Sequence, residues 1–250
     1  MTASHKAPAE VLGRRLAHAR RVWWTLAPLT GLLLTGSVAY QLYFAFISYV
    51  LQHTGTTRNT GAGSGVTQVI VSIDGFYMLL LYLAELMSLL AWLRYIWLSL
   101  LLTDRIAPGL RRLSPLATVT GFFVPVASFW IQIQAMNDIA RAARRGETQR
   151  RPLNPVLPAA ITLSLFIALQ FSRAVAGIPI DVFSDPNAAQ HAMQMSSIAD
   201  IAAFMLLILC DAFMLSVGRG QARALAKEKG RRSEPAPELR EEKSKEGMSD

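Results

Sequence analysis

The stretch FFVPVASFWIQIQ, Phe122 to Gln134, decides how this chain is threaded. It is apolar enough to enter a bilayer, yet it carries Pro125 in its middle and glutamines at one end. Arg105, Arg111 and Arg112 precede it, and Arg141, Arg144, Arg145, Arg150 and Arg151 follow it. Lysine and arginine near the ends of spanning helices mark the cytoplasmic side of a membrane. A segment with a basic cluster at each end obeys that rule only if it enters and leaves on the same side.

The rest of the chain sets the context. Of its 250 residues, 52% are hydrophobic and 17% charged, against roughly a quarter charged in an ordinary soluble domain. Mean hydropathy is +0.31. No lysine occurs between Lys6 and Lys227, and the charges gather at the termini and in short clusters between long apolar runs. This pattern reads as an all-α, multi-pass integral membrane protein. The net charge of +8 does not imply nucleic acid, because the bases flank apolar runs instead of forming a stripe on a soluble fold. The single cysteine, Cys210, can form no internal disulfide and belongs to no zinc spacing.

Five apolar runs follow one another: Val22 to Leu51, Gly75 to Leu102, Leu116 to Met136, Val156 to Val175 and Ile198 to Val217. The first continues through Ser37-Val38-Ala39 without a break, so it reads as an uncleaved span rather than a secretory signal. Pro28 is expected near its start, where proline is tolerated. GAGSG (Gly61 to Gly65) lies in the loop Gln52 to Gly65; no strand precedes it, so it is not a phosphate-binding turn. Residues 1–21 form a basic cytoplasmic arm, residues 22–218 the membrane domain, and residues 219–250 a charged tail expected to be disordered or partly helical. Trp23, Trp24, Tyr77, Trp92, Tyr95 and Trp97 are expected as interfacial anchors.

Charge then orders the crossings. The first loop carries only Arg58, and the loop Gly177 to Met195 carries no base, so both lie outside. Runs one, two, four and five satisfy every loop as two helical hairpins with both termini cytoplasmic. The third run is expected as a proline-broken re-entrant hairpin, since Pro125 removes a backbone donor and clashes with the preceding turn. The alternative is a kinked crossing, giving five spans and one violated loop.

The same segment carries a resemblance. RLSPLATVTGFFVPVASFWIQIQAMNDIARAARR, with Ser114, Pro115, Phe123, Pro125, Trp130, Gln134, Ala135 and Met136 as its motif residues, resembles the core of a bacterial membrane family called domain of unknown function 4328. WLRYIW (Trp92 to Trp97) is similar to that family's Trp- and Arg-bearing helix. Where the family pattern has a second proline two residues after the tryptophan, this chain has Gln132, and the Arg-Asn pair expected after helix two is not evident. The resemblance covers about Ala84 to Arg145. It implies a multi-pass protein of the bacterial plasma (inner) membrane and no known activity or catalytic residues.

Ionisable groups in a bilayer are costly and mark candidate sites. Glu85 and Asp211 lie deep in runs two and five, each with an acid eleven residues earlier, Asp74 and Asp200. Eleven residues is close to three helical turns, so each pair shares a face. With Gln41 and Gln170 these form parallel triplets, Gln41…Asp74…Glu85 and Gln170…Asp200…Asp211, suggestive of an internal repeat. Glu85 and Asp211 could line a polar cavity. A structural alternative pairs Glu85 with Gln41, Asp211 with hydroxyls of helix two, and Arg173 with Asp200. His191, Met193 and Met195 of HAMQM offer soft donors for Cu(I), but a histidine at an apolar helix start accounts for them more simply, and no metal is assigned.

No Ser-His-Asp, Cys-His, HExxH or phosphate-loop pattern is present. The expected function is therefore non-enzymatic and without cofactor: assembly, envelope or sensing, through the bilayer and through anionic-lipid or protein contacts of the basic arm and tail. The alternative is a small transporter or channel that moves protons or cations on Glu85 and Asp211.

Overall fold

A computed structural model of the chain describes residues 8–54, 64–121, 125–144, 156–176 and 186–233. They form six helices in the order α1 (Ala9–Thr54), α2 (Ser64–Ile106), α3 (Pro115–Gly121), α4 (Pro125–Arg144), α5 (Val156–Ala176) and α6 (Pro186–Ser233). No strand occurs among the described residues.

Three helices are long and apolar enough to cross a membrane, over Glu10–Tyr43, Phe76–Ile106 and Gln190–Lys227, and α5 adds the shorter apolar stretch Val156–Ser172. Their outer faces carry Leu32, Phe46, Phe76, Leu83, Phe166 and Ile208, all exposed. A soluble monomer rarely leaves so much contiguous apolar surface uncovered. The polar groups point inward instead: Thr30, Ser37, Gln41, Ser88, Asp200 and Thr162 are all buried. Outward hydroxyls bond to their own helix, as Thr35 does to the Gly31 carbonyl (2.8 Å) and Thr120 to that of Leu116 (2.9 Å). That satisfies a hydroxyl without water.

α1 packs between α2 and α6. It packs antiparallel to α6, with Trp23 beside Asp211, Ser37 beside Asp200 and Gln41 beside Ser196. It packs antiparallel to α2, with the Thr30 hydroxyl 2.8 Å from that of Ser88 and 3.2 Å from the Ala84 carbonyl. Small residues permit this approach; a Cβ at Gly36 would lie 2.7 Å from the Tyr77 hydroxyl, which itself donates to the Leu33 carbonyl. α5 packs against α6.

The third apolar run is two helices. Ser114 caps α3, its Oγ accepting the Ala117 N–H at 3.0 Å, and Pro115 takes the first helical position, where its missing donor costs nothing. Pro125 likewise opens α4. The expected break in this run lies between Gly121, the last residue of α3, and Pro125, the first of α4. Residues 122–124, Phe123 among them, lie outside the described residues. α3 and α4 fold back on each other, because a Cβ on Gly121 would sit 2.8 Å from Ile131, whereas ten residues of continuous helix would separate them by about 15 Å. At the far ends the Arg112 N–H donates to Asp138 Oδ2 at 3.2 Å. Gly109, at φ +78°, makes the turn that leads from α2 into this hairpin, and only glycine adopts that conformation freely.

Both sides of the basic end are helical. α1 begins at Ala9, within the arm, and buries Leu12, Leu16 and Ala19. Pro28 accordingly lies well inside α1, where it removes the hydrogen bond to the Trp24 carbonyl. Of the two states expected for the tail its first part takes the helical one, since α6 runs to Ser233 and buries Gln221 and Ala224. The two extensions pack together, Gly13 against Leu225 and Gly218 against Arg20, while Gly220 sits on the Ala143 carbonyl of α4. The helices continue beyond the apolar runs. Residues 234–250 lie outside the described residues.

Of the expected anchors, Trp23, Trp92 and Tyr95 are instead core, 2%, 4% and 0% exposed. Trp92 lies 5.7 Å from Trp23, 5.9 Å from Tyr95 and 5.9 Å, edge-on, from Phe213. Trp24 alone of this group is strongly exposed, with the Arg20 guanidinium 5.3 Å from its ring. Arg94 faces outward.

Candidate functional site

Two polar constellations lie inside the bundle. The first ties α1 to α6 toward the end away from the arginines. Asp200 Oδ2 accepts from Ser37 Oγ at 2.7 Å and from Gln41 Nε2 at 3.0 Å. Gln41 Nε2 also donates to Ser196 Oγ (2.9 Å), and its Oε1 accepts from Ser197 Oγ (2.5 Å). Both ends of the Gln41 amide and one carboxylate oxygen are thus satisfied across a single helix pair. The spacing makes this possible: Ser37 and Gln41 are one turn apart on α1, and Ser196 and Asp200 one turn apart on α6.

The second is a cavity of about 360 Å³ between α2, α5 and α6, lined mostly by apolar side chains. Its polar members include Glu85, Ser88, Gln132, Ser196 and Asp200. Tyr82 and Leu86 on one wall, Leu169 and Ser172 on the other, are exposed, so the cavity opens sideways between α2 and α5. Trp23 and Trp92 reach it from the aromatic core. Among the described residues no side chain hydrogen-bonds to the Glu85 carboxylate.

Gln132 enters the cavity from α4. It is 2% exposed, and among the described residues neither its Nε2 nor its Oε1 has a hydrogen-bond partner. An unsatisfied buried polar group costs about 1–3 kcal/mol, and the hairpin carries two such atoms on one side chain. Leucine would fill this position at no such cost, so packing alone does not account for the amide.

The residues expected to form one intramembrane site therefore separate. Glu85 lines the cavity, but Gln41 meets Asp200 and not Glu85. Asp211 lies outside the lining, its Oδ1 accepting the Trp23 indole N–H at 2.6 Å, not a hydroxyl of α2. Gln170 is exposed on α5. The carboxylate that shares the cavity with Glu85 is Asp200. The parallel triplets do not have parallel environments, since Gln41 is buried and Gln170 exposed. The side chains of Asp74 and Arg173 lie outside the described residues.

His191 is exposed and Met193 and Met195 half-buried on the first turns of α6. Met193 stands about 200° round the helix from His191, so the three donors do not converge. Among the described residues no three His, Cys, Asp or Glu side chains group as a metal site. Of the motif residues in the third run, Ser114 and Pro115 start α3, and Pro125 starts α4. Ala135 and Met136 enter the core; Trp130 is 65% exposed and Gln134 half-buried. Sequence reasoning missed Ser37, Ser196, Ser197 and the cavity role of Gln132. Their signal was present as polar residues at helical spacing within apolar runs. Comparison with family models, with curated proteins and with solved structures finds no match.

Proposed function

We propose that the chain is a non-enzymatic, multi-pass protein of a bacterial plasma membrane that binds a small molecule within the bilayer and reports its presence at the cytoplasmic ends of its helices. In this reading α1, α2, α5 and α6 cross, and the α3–α4 hairpin enters from the cytoplasmic side and returns to it. The length of α5, 21 residues, gives about 32 Å, enough for a hydrocarbon core of about 30 Å. Arg14, Arg20, Arg105, Arg112, Arg141 and Arg219 belong to the end at which α1 begins and α6 closes on α4. The positive-inside rule assigns that end to the cytoplasm.

The observation that carries the reading is Gln132, an unpartnered buried amide facing a cavity of small-molecule size. Such sites run from about 300 to 1,000 Å³. α4 also supplies a route outward. Eleven residues after Gln132, about 16 Å along a rigid helix, Ala143 presses on Gly220 of the α6 extension. A ligand that pulls on Gln132 biases that contact. The exposed bases Arg14, Arg15, Arg21 and Arg219 suit anionic lipid or an acidic partner at this surface. Proton or cation movement on Glu85 and Asp211 fits less well, because the Asp211 carboxylate is engaged by Trp23 away from the cavity.

The test needs no ligand. With Cys210 replaced by serine, spin labels at Arg21 and Arg219 report the distance between the two extensions. Ala203→Trp fills the cavity from its α6 wall. A sensor should show a changed distance distribution in the filled variant; an unchanged distribution contradicts the reading.

A further inference from the structure

We infer that the cavity takes a lipophilic amine, its ammonium held by the Glu85 carboxylate and the Gln132 Oε1, with Asp200 lining the same cavity. The inference rests on the binding function proposed above and names its ligand class. Four features converge on it. Glu85 and Asp200 line the cavity, and among the described residues no lysine, arginine or histidine does, so the described lining favours a cation over an anion. Gln132 adds an unpartnered, fully buried carbonyl that an ammonium N–H can satisfy, while its amide N–H₂ remains to meet an acceptor on the ligand or a carboxylate. Trp23, Trp92 and Tyr82 present aromatic rings, which also favour a cation. The mouth lies between the exposed apolar walls of α2 and α5, so the ligand comes from the hydrocarbon layer and carries an apolar body.

The number of donors refines the class. Asp200 Oδ2 is already engaged by Ser37 and Gln41, which leaves Glu85 as the principal counter-ion. A primary or secondary amine has N–H donors for both Glu85 and Gln132; a quaternary ammonium has no N–H for the Gln132 carbonyl. A bare metal ion does not fit, since no three carboxylate, imidazole or thiol ligands converge among the described residues.

The experiment uses the full chain in lipid nanodiscs, reading tryptophan fluorescence during titration with octylamine, octanol or octanoate. All three partition into lipid, so partition alone cannot separate them. Octylamine should give a saturable change with an apparent affinity at least about tenfold above octanol, and octanoate none. Glu85→Gln and Gln132→Leu should each weaken octylamine about tenfold or more and leave octanol unchanged. A measurement free of variants accompanies it: octylamine should raise the thermal midpoint of the wild-type protein, and octanol should not. Equal responses to amine and alcohol, tighter octanoate, or variants that bind octylamine as wild type does, would each overturn the inference. If amine binding fails while Ala203→Trp still shifts the spin-label distance, the ligand class falls and the sensor stands. If the amine binds and the labels do not respond, the sensor falls.

Discussion

The backbone N–H of Arg112 donates to the Asp138 carboxylate at 3.2 Å, so the chain entering the third apolar run lies beside the chain leaving it. Twenty-six residues separate the two, and a single straight helix of that length would hold them about 39 Å apart. This contact makes α3 and α4 a hairpin, and the hairpin brings Gln132 to the cavity.

Asp138 is 3% exposed, so removing its carboxylate loses a charge-assisted hydrogen bond and leaves a gap between the two ends of the hairpin. Asp138→Ala should destabilise the folded protein by about 1–3 kcal/mol, and Asp138→Asn, which keeps an acceptor, by less. Thermal unfolding in mild detergent distinguishes the two.

Gln132→Leu should act in the opposite direction. Replacing an unsatisfied amide by a hydrocarbon of similar size should stabilise the ligand-free protein by about 1–2 kcal/mol while weakening ligand binding. A lowered thermal midpoint would mean that the amide has a structural partner.

The α1–α6 network should show coupling that a local hydroxyl does not. Gln41→Leu and Ser37→Ala should each lower stability, with a coupling to Asp200→Ala of about 0.6–1.7 kcal/mol in double-mutant cycles. Thr35→Ala should lie near zero, since Thr35 bonds only the Gly31 carbonyl of its own helix.

Two glycines of α6 separate packing from propensity. A Cβ at Gly220 would sit 2.6 Å from the Ala143 carbonyl, whereas nothing lies within 4 Å of one at Gly230. Gly220→Ala should push α4 away from α6 and reduce the thermal midpoint, and Gly230→Ala should be neutral or stabilising by up to about 1 kcal/mol. Equal effects would place the α4–α6 contact elsewhere.

Much of the fold was legible in the apolar runs, which correspond to α1, α2, the α3–α4 hairpin, α5 and α6. What the runs concealed was helix length. Leu12, Leu16 and Ala224 are separated by arginines, so hydropathy ends before the helix does, although these side chains pack the two extensions into one core. Pro125 marked the break in the third run, but a proline signals only a helix boundary, and sequence alone does not say whether a helix ends before it or begins at it. At the site, periodicity identified Glu85 and Asp211 as deep and Asp200 as sharing a face with Asp211. It could not choose partners between helices. Gln41 went to Asp200 and Asp211 to Trp23 because α1 packs between α2 and α6, and that arrangement is tertiary. Trp23 and Trp92 looked like interfacial anchors by position, yet they pack on each other and on Phe213.

The placement of the hairpin carries the rest of the account. In a Cys210→Ser background, single cysteines at Arg112 and Arg141, both exposed, are probed in intact cells with a membrane-impermeant thiol reagent. Both should stay unlabelled until the cells are opened, which places the entry and exit of α3–α4 together in the cytoplasm. Labelling of one but not the other from outside would make the segment a crossing, and would contradict the hairpin that carries Gln132 into the cavity.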